Sequence, residues 1–225
     1  MSEAQTRLRV LSGFAAAYRV PKRLLDVGCA SGIFLEQARN TGWDIEGVEL
    51  SPVLCNKAKS RGLPVTHGWL ESQSTNAKYP VVTAWEVIEH TLDPEVFLNQ
   101  LYSRTERGGL IALSTPLSNG LPALLLRSRF PMICPPEHLS LFSKKSIKLL
   151  GARFGLQLIY FRSFSNLRKD NLKRGLDRFV FGQTRPTSVG STLSSFFATL
   201  LQPLPRMVDA LGLGTEMEIV FRKAA

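Results

Sequence analysis

Three groups of residues in this sequence have types and spacing that can do chemistry. The first is the run Asp26-Val27-Gly28-Cys29-Ala30-Ser31-Gly32. Two glycines with small residues between them let a ligand approach the backbone closely. A helix starting there aims its free N–H groups at that ligand, and a nucleotide-like cofactor is the natural occupant. The second is Glu49, 17 residues after Gly32, at the end of the alternating stretch Asp44–Leu50. A carboxylate at the tip of a second strand can accept from both hydroxyls of a ribose, in strong charge-assisted bonds. The third is Glu86-x-x-Glu89-His90, with His138 further along. On a helical turn, positions i, i+3 and i+4 share a face. Two carboxylates and an imidazole there, with His138 as a fourth ligand, could hold a divalent cation such as Mg2+. A general-base role for His90 or His138 is the alternative. Glu86 and Glu89 also fit as turn caps, with His90 packed beneath the cofactor.

These residues need a scaffold, and the rest of the chain reads as one. Arg23–Val27 is short and apolar, as a strand covered on both faces should be. Residues 1–21 form an amphipathic helix on Leu8, Leu11, Phe14, Ala15 and Tyr18, stopped by Pro21. A helix is expected over Ser31–Asn40, and a second from the Ser51-Pro52 cap to near Gly62. Leu63–His67 is a short strand, with Trp69 at its end placed either to lie on an adenine ring or to seal the core edge. Strands are expected at Val81–Trp85, Leu110–Ser114, Leu156–Tyr160 and Glu216–Arg222. Between them fall a helix capped by Asp93-Pro94, with Val96, Phe97 and Leu101 inward, and a helix capped by Ser143. Strands alternating with helices at this pace imply an α/β fold with a parallel sheet.

Two stretches break the alternation. Residues 115–137 are irregular and proline-bounded, with the greasy segment Leu121–Leu126 followed by Arg127 and Arg129. At the carboxyl edge of a strand, such an insertion is placed to roof a substrate pocket. Residues 163–215 read as a helical lid, or as a surface that lies on a bilayer or takes a lipophilic substrate.

At 225 residues the chain suits one domain, 1–225, with a good-sized core. Its three cysteines lack metal spacing, which points to a reducing, cytoplasmic setting without a disulfide framework. No signal peptide is expected, and no run approaches the ~18 apolar residues of a membrane span. The net charge is +10, with seven basic residues against two acids between Arg162 and Arg185. A solvated helix face explains that run, and attraction to an anionic substrate, a phospholipid surface or nucleic acid is the alternative. Aromatics are not interleaved with it as in RNA-binding modules, so nucleic acid is the weakest of these partners.

Taken together, LLDVGCASG (24–32), IEGVELSP (45–52), VVTAWEVIEH (81–90), GGLIALSTP (108–116) and PEHLSLFS (136–143) resemble the class I S-adenosylmethionine-dependent methyltransferases. The look is most similar to the branch containing the ubiquinone-biosynthesis O-methyltransferases. The resemblance covers roughly residues 22–160 and the terminal strand. It implies a Rossmann-like, doubly wound, seven-stranded sheet whose last strand is antiparallel and inserted between strands five and six. It implies that Asp26, Gly28, Ala30 and Gly32 line the methionine and ribose end of the donor, and that Glu49 holds the ribose. Leu50, Trp69 and Leu70 would flank adenine, with Ala84 and Trp85 beside the methionine portion. Ala30 stands where many relatives have glycine. An E-x-x-E-H pattern with a distant histidine also occurs in metal-dependent O-methyltransferases.

The expected activity is therefore methyl transfer to a small or lipid-like acceptor, at oxygen before nitrogen. The competing readings are an RNA methyltransferase, a non-catalytic cofactor-binding scaffold acting through 163–215, and an NAD-binding oxidoreductase. Glu49 suits the last equally well, but the full glycine fingerprint is missing and no second substrate domain follows.

Overall fold

A computed structural model describes residues 2–71, 77–165 and 203–225. Seven strands form one sheet: β1 (Arg23–Val27), β2 (Asp44–Glu49), β3 (Val65–His67), β4 (Tyr79–Trp85), β5 (Thr105–Pro116), β6 (Gln157–Phe164) and β7 (Glu216–Arg222). Their order is β3-β2-β1-β4-β5-β7-β6. The pairs among β1 to β5 are parallel, whereas β7 runs antiparallel to both β5 and β6. The expected seven-stranded sheet with an inserted antiparallel last strand is what forms.

Helices cover both faces because successive strand residues point to opposite sides. Leu24, Val81, Leu110 and Val220 pack under α1 (Glu3–Tyr18), α2 (Ile33–Asn40) and α3 (Pro52–Lys59). Leu25, Val82, Ile111 and Ile219 pack under α4 (Pro94–Arg104) and α6 (Lys144–Arg153). Strand order reverses between β1 and β4. At such a switch point the loops leaving the carboxyl ends of neighbouring strands part and open a crevice.

Several boundaries differ from the sequence expectation. The first helix stops at Arg19, which adopts a left-handed conformation (φ 56°), two residues before Pro21. Strand β5 begins at Thr105 and runs through Gly108 and Gly109, because the register shift opposite Tyr79 and Val81 absorbs the irregularity. Strand β6 continues past Tyr160 to Phe164, held by pairing to Glu216 on β7. The 115–137 stretch contains α5 (Leu121–Leu126) and a 3-10 turn, Arg127–Arg129. Of the 163–215 insertion, the described part includes α7 (Pro203–Ala210); the remainder, with most of the basic run, lies outside the described residues. Among the described residues, no helix is long and apolar enough to cross a membrane.

Candidate functional site

A cavity of about 520 Å³ opens at the carboxyl ends of β1, β2 and β3, where β4 also ends. Four of its walls come from residues at or just beyond the end of a strand. Gly28 follows β1, Glu49 and Leu50 close β2, Trp69 and Leu70 follow β3, and Glu86 and Val87 follow β4. A fifth wall is the loop before α4 and its first turns, from Thr91 through Asp93 and Val96 to Gln100. Asp93 caps that helix by accepting from the N–H groups of Glu95 and Val96, so the turn facing the cavity is fixed.

Glu49 ends β2 at the cavity wall. Its side chain is buried, one carboxylate oxygen accepting from the Ala30 N–H (2.8 Å) and the other from the Ser51 N–H (2.7 Å). Each oxygen retains capacity for another bond. The acid therefore ties the glycine-bearing turn to the tip of β2 and still presents acceptors to the cavity.

Gly28 and Ala30 both have positive φ, 73° and 49°, so the turn coils tightly and brings the Ala30 amide round to Glu49. A Cβ on Gly28 would lie 2.7 Å from a Val87 methyl, because the β4 loop crosses directly over it. Gly32 also makes room within the protein. A Cβ there would meet Leu63 at 2.3 Å and Ala58 at 3.2 Å, so this glycine lets α2 start against α3.

The expected cofactor residues divide into two groups. Gly28, Glu49, Leu50, Trp69 and Leu70 line the cavity. Trp69 is 63% exposed, so it does not seal the core edge. Asp26, Ala30, Gly32, Ala84 and Trp85 do not line it. Asp26 is buried under the β1–β4 pair, accepts from the Thr83 hydroxyl (2.6 Å), and burial pushes its carboxyl up to about 7. Ala84 is fully buried in β4. Trp85 faces α1 and α2: its ring meets Phe34 edge-on, and the Arg7 guanidinium lies over it at 4.5 Å.

The four residues of the expected metal set also divide. One ligand atom each from Glu89, His90 and His138 lies within 4.8 Å of the others. Both histidines are oriented by carbonyls: His90 Nδ1 donates to the Glu137 oxygen and His138 Nδ1 to the Met132 oxygen, each at 2.7 Å. A carbonyl only accepts, so each Nδ1 carries the proton and each Nε2 keeps a lone pair. The Glu89 and Leu139 backbones are joined by a 2.8 Å bond, which brings the His138 loop back to this turn. Both Glu89 carboxylate oxygens are buried without a hydrogen-bond partner. Burial and the adjacent Glu86 carboxylate push its acid well above the usual range.

Glu86 lies beside Glu89 but is not among the residues whose ligand atoms meet within 4.8 Å. Its φ is 54°, and the 3-10 turn starts only at Ile88, so positions 86, 89 and 90 do not share one helical face. Its N–H donates to Ser114, and its carboxylate lies 3.8 Å from Arg7.

The apolar stripe of α1 gives no sign of the role of Arg7. Its Nε donates to Glu218 (2.8 Å) and its Nη2 to the Ser114 hydroxyl (3.2 Å), which places a nearly buried cation at the ends of β4 and β5. Apolar spacing does not mark the Thr91–Gln100 wall either: Val96, expected inward, is 52% exposed and lines the cavity.

A family described as Methyltransferase domain matches residues 3–160. The chain belongs to the methyltransferase domain family. The match spans the cavity, the acid at β2 and the histidine pair. Among curated relatives, the mitochondrial ubiquinone biosynthesis O-methyltransferase of Schizosaccharomyces pombe is 33% identical over 47% of this chain and 41% of its own. The ubiquinone biosynthesis O-methyltransferase of Photorhabdus laumondii is 31% identical over 42% of each. The match covers under half the length of these relatives. Among solved structures, a SAM-dependent methyltransferase from Archaeoglobus fulgidus superposes with a TM-score of 0.60 at 18% identity, covering 99% of this chain and 95% of its own. Magnesium protoporphyrin IX methyltransferase from Synechocystis, solved with bound SAH, gives 0.62 at 14% identity, covering 98% and 83%. The methyltransferase domain thus shares its whole fold with these structures, β6 and β7 included.

Proposed function

We propose that this chain is an S-adenosylmethionine-dependent methyltransferase acting on an oxygen of a small, lipophilic acceptor. The carrying observation is the Glu49 carboxylate, fixed by two backbone N–H groups and opening into a cavity whose neighbouring walls are Leu50, Trp69 and Leu70. An acid flanked by an indole and two leucines suits a ribose joined to an adenine. When bound, the donor supplies an electrophilic methyl on a sulfonium. The chain's own task is to hold the acceptor oxygen in line and take its proton, and orientation alone can contribute ~7–11 kcal/mol.

His90 is the group for the proton in this reading. It lines the cavity, and its Nε2 lone pair is available because Nδ1 is committed to Glu137. A divalent cation such as Mg2+ fits the same place. Glu89 with two unpartnered oxygens, His90 and His138 with oriented rings, and the spacing of their ligand atoms would together hold it. A bound ion would supply Lewis acidity to an acceptor hydroxyl. In this reading residues 1–225 act as one domain in a cytoplasmic setting, with 115–137 on the acceptor side. The ubiquinone-pathway names of the relatives favour oxygen and a lipophilic acceptor over nitrogen or RNA.

The test is calorimetry with S-adenosylhomocysteine, followed by labelled methyl transfer to a panel of phenols, catechols and lipid hydroxyls with and without EDTA. Glu49→Gln should weaken product binding about 10–100-fold, the value of a charge-assisted bond. Absence of binding in the unaltered protein overturns the assignment. Loss of transfer with EDTA selects the metal over the His90 base alone.

A further inference from the structure

We infer, resting on the methyltransferase reading above, that Glu216 is a specificity-determining residue for the methyl acceptor. Its carboxyl hydrogen-bonds an uncharged oxygen of the acceptor beside the reacting one, and it disfavours an acceptor that carries a carboxylate there. Glu216 opens β7 and pairs with Pro116 and Phe164, the last residues of β5 and β6. It therefore stands at the carboxyl edge of the sheet, the edge at which the cavity opens. Side chains alternate along a strand, so Glu216 shares a face with Glu218, which bonds Arg7 of α1. A donor held at Glu49 leaves the Glu86–His90 end of the cavity for the acceptor. Glu86 is within electrostatic reach of Glu216, as are Glu3 and Arg7 of α1 and Glu218 of its own strand.

The two acids of β7 are partnered differently. Glu218 takes both nearby arginines, Arg7 and Arg162, at 2.8 Å each. Glu216 has no ion pair among the described residues and is only half-buried, so one side of its carboxyl is open. Burial and the Glu86 carboxylate push it up to about 8. It therefore carries a proton at neutral pH and can donate as well as accept. Behind Glu86 lies Glu89, fully buried beside it with both oxygens unpartnered. This flank is acidic although the whole chain carries a net charge of +10. A carboxylate entering it meets like charge, whereas a hydroxyl, ether or carbonyl oxygen finds a hydrogen-bond partner.

Methyl transfer by the full chain from S-adenosylmethionine to tert-butylcatechol and to dihydroxybenzoate tests this. The unaltered protein should prefer the neutral catechol. Glu216→Ala should raise KM for it about three- to tenfold, the worth of one hydrogen bond, with little change in kcat. Glu216→Gln, which still donates and accepts, should recover most of that loss. Glu216→Lys should turn the preference towards dihydroxybenzoate. Calorimetry with S-adenosylhomocysteine on the same samples should give equal affinities, which shows that the variants fold and that the donor end is untouched. An unchanged KM in Glu216→Ala overturns the inference, as does a preference of the unaltered protein for dihydroxybenzoate. So does product binding without transfer to either catechol. In all three cases the methyltransferase reading stands as long as S-adenosylhomocysteine binds. Failure of the unaltered protein to bind it overturns both.

Discussion

Asp26 and Glu49 are both buried acids at the edges of one turn, and their partners separate their behaviour. Glu49 accepts from two backbone amides. Asp26 has the Thr83 hydroxyl, and burial outweighs that bond and the more distant pull of Arg7, raising its carboxyl from 3.8 to about 7. The folded chain therefore holds this proton more tightly than the unfolded chain. Below about pH 4 both states are protonated and the burial costs nothing. As pH rises towards 7 the unfolded state ionises first, so stability is lost. Asp26→Asn should flatten the fall in melting temperature between pH 4 and 7. Some slope should remain, because burial shifts Glu89 and Glu216 in the same direction. An unchanged slope would mean that Asp26 is ionised in the folded protein.

At the scale of elements, α1 is tied to the sheet by a single side chain as well as by its apolar stripe. Arg7 bonds Glu218 on β7 and Ser114 on β5, and stacks on Trp85 at the end of β4. Glu218 is 3% exposed and is shared with Arg162 of β6 at 2.8 Å. Removing Arg7 leaves that carboxylate half-paired in a dry place. Arg7→Ala should cost about 1.5–3 kcal/mol, the worth of a hydrogen bond to a charged group, measured by urea unfolding. Arg7→Lys should keep the charge but not the two-point contact, and so recover only part of the loss.

The whole molecule is closed by contacts between residues far apart in sequence. Gly120, before α5, lies so close to the 213–214 turn that a Cβ would stand 1.9 Å from the Gly214 carbonyl oxygen. The neighbouring Leu121 amide bonds Leu213. Gly120→Ala must push the two loops apart and should cost about 1–3 kcal/mol, seen as a lowered melting temperature. An unchanged melting temperature would show that the loops part freely. Nothing local marks this glycine, since its φ of −67° suits any residue.

That contrast separates what could be read in advance from what could not. The strand before Gly28, the glycine-bearing turn, the acid at β2 and the alternation of strands with helices depend on short-range pattern, and all were legible. Boundaries slipped where pairing to a neighbour extended a strand, as at Thr105 and Phe164. The linear sequence also could not tell which of Glu86, Glu89, His90 and His138 meet. The left-handed backbone of Glu86 turns it towards Arg7, and the return of the 137–139 loop brings His138 to Glu89 and His90. Which elements form is set by periodicity and caps along the chain. Which side chains converge is set by how distant loops pack together, and only the folded molecule contains that information.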